Sequence, residues 1–387
     1  MAHVHGFHSY PARLHPETAS ALIEAFSKPG DAVLDPFCGS GTVLVEALRL
    51  GRRAFGVDAN PLAVELALLK TRAPRAAWLG ELEAAAAQVA AHADARRKAK
   101  AGATRRYPEE DRKLFAPHVL LELDGVRDGI DGVGSSDLRR ALGLALSSIL
   151  TKVSQRAGDS SGRMSEKRIA GGYAIKLFTR KVSEFVRRAG ELATLLPAKL
   201  PHSHIEVGDA RDIGFARPGT IDLIVSSPPY AGVYDYFEHH KARLRWLGLP
   251  AGRFERTEIG SRRQGRQRPE EALAAFSRDF GACLEEMARV LGPRGHAALI
   301  VADSVLASRA LYADELIAEL APRVGLALVA RASQRRPHFH KPTQQAFRRR
   351  PRSEHLILLA RGDSSAGAPA ARRSPRSRDP RSGGRGG

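Results

Sequence analysis

Residues 32–50, Ala32-Val33-Leu34-Asp35-Pro36-Phe37-Cys38-Gly39-Ser40-Gly41-Thr42-Val43-Leu44-Val45-Glu46-Ala47-Leu48-Arg49-Leu50, decide the fold. Ala32–Leu34 is a short apolar run behind Lys28-Pro29-Gly30-Asp31, the pattern of a buried parallel strand. Val43–Leu50 carries helix-spaced apolar residues and stops at Gly51, a helix C-terminal signal. Between them Cys38-Gly39-Ser40-Gly41 is a turn of small residues. A strand, a glycine turn and a helix start make a ligand cradle at the carboxyl edge of an α/β sheet. Glycines let the backbone approach a ligand closely, and the first N–H groups of the helix remain free to bind it.

The spacing excludes two common occupants. A dinucleotide fingerprint needs a third glycine, but Leu44 stands at that position. A phosphate loop needs Gly-Lys-Ser/Thr, and Gly41-Thr42 lacks the lysine. Asp35 at the strand end would repel a diphosphate and suits a cationic or amine-bearing ligand. The next strand, Arg53–Val57, leads into Asp58-Ala59-Asn60-Pro61. An acid after the second strand of such a unit takes a ribose hydroxyl pair. A nucleoside without phosphate that carries positive charge points to S-adenosylmethionine. A generic α/β turn with an incidental Asp is the bland alternative.

Further along, Pro16–Ser27 fits a helix with proline in its first turn and Glu17 complementing the dipole. Leu62–Thr71 continues as a helix, after which the composition shifts. Helix-spaced segments are expected at Arg75–Gly102, Arg112–Leu123, Asp137–Val153 and Gly172–Leu196. Loops are expected at Asp124–Gly134 and Gly158–Gly162. Residues 75–202 thus read as an all-helical insertion. Its Lys152, Arg156, Arg163, Lys167, Arg168, Lys176, Arg180, Lys181, Arg187 and Arg188 suit either phosphate contact or a solvated face.

The sheet resumes at His204–Val207, followed by Gly208-Asp209, and again at Ile221–Val225, which ends in Ser226-Ser227-Pro228-Pro229-Tyr230. A helix at Phe276–Leu291 closed by Gly292-Pro293, a strand at Ala297–Ala302, a helix at Tyr312–Val324 and a strand at Glu354–Ala360 complete the alternation. The expected architecture is α/β, a doubly wound, mostly parallel Rossmann-like sheet with an inserted all-helical segment. Residues 1–74 and 203–361 would form the catalytic domain, 75–202 the insertion, and 362–387 a disordered basic tail. From Asp363 onward the chain holds six Arg against two Asp, without aromatics.

A formal charge of +19 over 387 residues favours a polyanionic partner, although an arginine-heavy genome would give the same balance. Two cysteines, Cys38 and Cys283, allow neither a disulfide framework nor a zinc cluster. His338-Phe339-His340 has no Cys or carboxylate nearby, so no metal is expected. No run of eighteen apolar residues and no apolar leader core occurs, so a cytoplasmic protein without a membrane segment is expected.

In combination, Asp35-Pro36-Phe37-Cys38-Gly39-Ser40-Gly41-Thr42, Gly56-Val57-Asp58-Ala59-Asn60-Pro61 and Ser227-Pro228-Pro229-Tyr230 resemble the amino-methyltransferases of nucleic acids, the DNA N4-cytosine and N6-adenine methylases. The resemblance covers about residues 3–72 and 203–361. It implies a site-specific DNA methyltransferase of the kind found in restriction-modification systems. RNA is the alternative substrate, and a protein glutamine amide a remoter one. A nucleic-acid-binding protein with a dead cleft is the contrasting class. Asp35, Pro36, Phe37, Gly39, Ser40, Gly41, Thr42, Asp58, Asn60 and Asp209 would hold S-adenosylmethionine, with Asp209 on the adenine amino group. A helix N-cap is the alternative role for Asp209. The Tyr10-Pro11-Ala12-Arg13 segment would cover the methionine end, unless it only packs on the sheet.

Ser227, Pro228, Pro229 and Tyr230 would be catalytic. An exocyclic base amine is a poor nucleophile because its lone pair is delocalised. Acceptors on its protons localise that pair and stabilise developing charge. Proline fixes φ and has no N–H, so the Ser227 hydroxyl and the Pro228 carbonyl can serve as acceptors. Tyr230 offers a stacking face for an extruded base. Serine at 227 resembles the N4-cytosine branch, whereas many members of that branch carry the two motifs in the opposite order. Tyr234–Lys241, Trp246–Gly248 and Glu258–Arg268 mix aromatic and basic side chains, as a lip that unstacks a base would. Glu258–Arg263 reads equally well as a surface loop.

Overall fold

The computed structural model describes residues 4–11, 13–156, 164–263, 269–306, 309–337 and 341–362. The strands are β1 (Ala32–Asp35), β2 (Arg53–Asp58), β3 (Ser203–Val207), β4 (Ile221–Ser226), β5 (Leu291–Ala302), β6 (Ser304–Leu306), β7 (Arg309–Leu311), β8 (Leu326–Arg335) and β9 (Ser353–Arg361). Seven of them form one sheet in the order β3-β2-β1-β4-β5-β9-β8. β1 to β5 pair in parallel, and β9 runs antiparallel to both β5 and β8. β6 and β7 make a separate hairpin. The expected doubly wound, mostly parallel sheet is therefore present.

β1 is buried at all four positions, as a central parallel strand requires. Helices α1 (Pro16–Phe26) and α2 (Thr42–Arg49) cover one face through Ile23, Val43, Leu44 and Leu48. The helix Pro269–Val290 covers the other through Phe280, Leu284 and Met287. α2 starts at Gly41, whose φ of +82° favours glycine; a Cβ there would also meet Ala67 at 2.9 Å.

Among the described residues, five helices lie between α3 (Pro61–Thr71) and β3: α4 (Ala76–Lys98), α5 (Glu109–Leu114), α6 (Pro117–Asp131), α7 (Ser136–Val153) and α8 (Tyr173–Ala193). Their core of Leu82, Val89, Leu123, Leu142 and Phe178 is continuous with Leu62 and Leu66 of α3 and with Phe237, Leu244 and Trp246 further along the chain. The helical segment is thus welded to the sheet unit. The N-terminal arm completes the weld: Val4 and Phe7 are buried, and Phe7 packs on Phe185 with ring centroids 4.8 Å apart.

Four expectations need correction. The loop expected at Asp124–Gly134 is helical through Asp131. Gly125 and Gly129 face Ala93 and Val89 of α4, where added Cβ atoms would sit 3.2 Å from the neighbouring helix. Glycine there serves close helix approach, at a propensity cost of roughly 1 kcal/mol each. The strand expected from Ala297 begins at Leu291, directly after the helix. Its register slips between Ile221↔Leu291 and Leu223↔His296, so Gly292-Pro293 sits at an irregularity of the ladder. The helix that precedes it starts at Pro269 rather than Phe276. β8 was not expected, because this edge strand is exposed at every position after Leu326 and lacks period-two apolar alternation. The Gly158–Gly162 loop, Arg163, His338–His340, residues 264–268 and the tail from Asp363 lie outside the described residues. Among the described residues no helix is long and apolar enough to cross a membrane.

Candidate active site

β1 and β4 are neighbours, with Val33 opposite Leu223 and Leu34 opposite Ile224. Their carboxyl ends therefore open side by side, and the Ser226 hydroxyl donates to Asp35 Oδ1 at 2.6 Å across 191 residues of sequence. The glycine turn and the Ser227–Tyr230 segment share one opening. A cleft lies there, lined by Pro36, Phe37, Gly39, Asp58 and Asn60. Asp209, Ser227, Pro229, Tyr236, Glu258 and Tyr10 line it as well. A smaller adjoining cavity reaches Asp35, Ser40, Thr42 and Arg13, and shares Gly39 and Ser227 with the first.

Fourteen residues were singled out from the sequence, and the structure brings most of them to this opening. Gly41 shapes the turn. Pro228 is buried behind it. Tyr230 lines a neighbouring cavity that shares Pro229, and its hydroxyl lies 3.2 Å from Ser227 Oγ. Asn60 is occupied structurally: Oδ1 accepts from Leu62 N, and Nδ2 donates to the Tyr10 hydroxyl.

Burial sets the electrostatics of the cofactor wall. It pushes Asp35 up to about 7, against the hydrogen bonds from Ser226 and Phe37 N. Asp58 accepts from Gly39 N and Asn60 N, each at 2.8 Å, and burial still raises it to about 6. Asp58 lines the larger cavity and Asp35 the smaller one that adjoins it. Burial also opposes ionisation of Asp209, but Arg211, donating from Nε and Nη2, outweighs it and holds that carboxyl below its ordinary value. Arg211 is fixed in turn by Asp279 at 2.7 Å.

Of the further residues at the opening, Tyr10 and Glu258 fall in segments expected to flank the site, whereas Lys70 carried no sequence signal of a site role. Tyr10 stacks on His240 with centroids 4.8 Å apart. Glu258, pushed up to about 7 by burial, accepts from the N–H groups of Tyr236 and Phe237 and so caps helix α9 (Tyr236–Leu247) from outside it. Lys70, lowered to about 7 by burial and the nearby Arg13, donates to the Ser40 carbonyl at 2.8 Å and braces the glycine turn. Only helix spacing could have placed Lys70, and as a lysine it read as a surface residue.

Strand order, glycine turn and paired carboxyls define an α/β protein built to hold a nucleoside at the edge of its sheet. Residues 2–69 match the model of the N6/N4 methyltransferase family described as DNA methylase. The chain is 35% identical over 68 residues to the type II methyltransferase M.MjaII of Methanocaldococcus jannaschii, covering 18% of this chain and 13% of that protein. It is 44% identical over 70 residues to the type II methyltransferase M.MvaI of Kocuria varians, covering 17% and 15%. It also aligns, at 10% identity and a TM-score of 0.37, with an S-adenosylmethionine-dependent methyltransferase from Methanosarcina mazei, over 91% of this chain and 99% of that one. The alignments with the two type II enzymes span about one seventh of their length.

The matched family depends on S-adenosylmethionine, and the residues present fit that group. Ser40 Oγ is buried and makes no hydrogen bond among the described residues, so a polar ligand atom has a place to land. The family match ends at residue 69, before the Ser227–Tyr230 segment.

Proposed function

We propose that this protein methylates an exocyclic amino group of a base in DNA, with cytosine N4 as the target. One observation carries the reading: Ser227 and Pro229 line the same cleft as Asp58 and Gly39. Asp58 would take the ribose hydroxyls, and Asp209 the adenine amino group. Ser40 and Arg13, in the adjoining cavity, would hold the amino-acid end. When bound, S-adenosylmethionine supplies an electrophilic methyl group on a sulfonium.

The chain's own residues then align and polarise the nucleophile. The Tyr230 hydroxyl can donate to Ser227 Oγ, which leaves the serine lone pairs to accept a proton of the base amine. The Pro228 carbonyl is the second acceptor. Together they localise the nitrogen lone pair and favour charge that develops as the N–C bond forms and the S–C bond breaks. The amine then loses its extra proton to water. In-line positioning carries most of the rate, since no covalent intermediate is required.

Serine at position 227 supports cytosine, and the match to the DNA methylase model supports DNA. The 40% identity over 57 residues to a tRNA (guanine(10)-N2)-dimethyltransferase of Methanothermobacter thermautotrophicus keeps an RNA amine as the second reading. The test is methyl transfer from labelled S-adenosylmethionine to duplex DNA and to transcribed RNA, followed by digestion to nucleosides. N4-methylcytosine from DNA is the expected product. N6-methyladenine would reassign the base, label confined to RNA would reassign the substrate, and no label in either would refute the reading.

A further inference from the structure

The side of Tyr230 away from the cofactor wall is built by β6–β7 and by the β8–β9 pair, none of which carries a motif. The hairpin lies directly on the tetrapeptide: a Cβ on Gly232 would sit 2.6 Å from the Val305 carbonyl, and Tyr230, Ser304 and Leu311 line one cavity. Arg336, just past β8, and its ion-pair partner Glu354 both lie close enough to Tyr230 to act on its phenol electrostatically. From Arg331 to Ser353 the sequence holds eight Lys and Arg and no Asp or Glu.

Most arginines of this rim are spent. Arg336 pairs with Glu354, Arg349 with Glu315, and Arg350 with Asp314. Arg309, Arg335 and Arg348 are different: each is exposed, and its side chain makes no hydrogen bond or ion pair among the described residues. Arg309 opens β7, Arg335 ends β8, and Arg348 lies in the approach to β9.

The backbone that presents them is anchored. Beneath it Asp303, Asp314 and His355 are buried together, with His355 Nε2 3.0 Å from Asp303 Oδ1. Burial works against ionisation of Asp314, but Arg350, His355 and Arg331 outweigh it and hold the carboxyl below its ordinary value. Asp303 accepts from the N–H groups of Ser353 and Ala313, and its carbonyl accepts from Arg352 Nε. This network pins residues 350–353 to the end of the sheet.

We propose that this arginine rim grips the phosphates that flank the target base. The inference rests on the nucleic-acid methyltransferase reading and adds which surface holds the substrate. A base swung into the cleft beside Tyr230 leaves its own backbone at the mouth, where unpaired guanidiniums on a fixed frame meet it.

The test is equilibrium binding of a labelled DNA duplex across a salt series of about 0.05–0.3 M, for the full chain and the triple variant Arg309→Gln/Arg335→Gln/Arg348→Gln. Each lost phosphate contact flattens the slope of log K on log salt by about 0.9, so a loss of roughly 2–3 is expected, with affinity at least about tenfold lower near 0.1 M. S-adenosylmethionine binding, measured on the same preparations, should not change, which shows that the triple variant is folded. Lys176→Gln/Arg180→Gln on α8 should leave the slope as it is. A triple variant that binds DNA as the unsubstituted protein does would overturn the inference alone. An unsubstituted protein that binds no duplex would overturn the reading underneath it, and the inference with it.

Discussion

The two walls of the cleft are made differently. The wall around the glycine turn comes mainly from one contiguous stretch, Asp35 to Asn60, and most of its hydrogen bonds stay inside that stretch: Asp58 accepts from Gly39 N and Asn60 N, and Asp35 from Phe37 N, with Ser226 reaching in from β4. The substrate wall is assembled from segments that meet only on folding. Glu258 caps a helix that starts 22 residues earlier, Gly232 N donates to the Gly260 carbonyl, and Arg263 N donates to Asp235. A wall of the first kind holds a ligand shared by many enzymes. The second kind can be rebuilt segment by segment to suit a different substrate.

The sharpest way to break this comparison is to remove chemistry from one wall while leaving binding on the other. Ser227→Ala and Tyr230→Ala should each lower turnover by about 10²-fold or more, the scale of losing one preorganised hydrogen-bonding group, while calorimetric affinity for S-adenosylmethionine stays within error. Undiminished turnover in both variants would remove the tetrapeptide from the mechanism. The converse experiment is Asp58→Ala. Losing a buried acceptor to a ribose pair should weaken cofactor binding by roughly 10–100-fold. Since Gly39 N also loses its partner, thermal stability should fall with it.

The walls also separate by pH. As pH rises through 6 to 7, Asp58 and then Asp35 ionise, so affinity for a cationic ligand should increase by about tenfold between pH 5 and 8. Stability of the ligand-free protein should run the other way. Both carboxyls have folded values above the unfolded range near 4, so they contribute stability at low pH that is lost as pH passes 6 to 7. Melting curves with and without S-adenosylmethionine over that range check both signs; a ligand-induced shift that shrinks with rising pH would contradict the assignment. The smallest effect belongs to the lip. Glu258→Ala should cost about 1–2 kcal/mol of stability and raise KM for nucleic acid a few-fold, whereas Glu258→Gln keeps a capping oxygen and should cost less.

These contrasts match what was legible in advance. β1, its glycine turn and α2 are readable because strand, turn and helix start each have a local signature, and all three are consecutive. Asp58 is readable for the same reason. Gly125 and Gly129 misled because glycine marks a turn by its backbone freedom, yet here it serves close helix packing against Ala93 and Val89. β8 was missed because an exposed edge strand has no buried face to impose a pattern. Lys70 carries no spacing rule; its place in the site follows from what folds over it.

By itself, then, the sequence determined an α/β sheet edge shaped for a nucleoside that bears positive charge, together with a rigid Ser-Pro-Pro-Tyr segment after a second strand. The reason is that φ restrictions, strand burial and charge act over a few residues. Only the tertiary structure decided that β1 and β4 are adjacent, which joins Asp35 to Ser226 and so makes one cleft of two motifs. It alone set the β6–β7 hairpin beside Tyr230 and welded the inserted helices to α3. Those outcomes depend on which surfaces bury against each other across more than a hundred residues, and no local pattern encodes that choice.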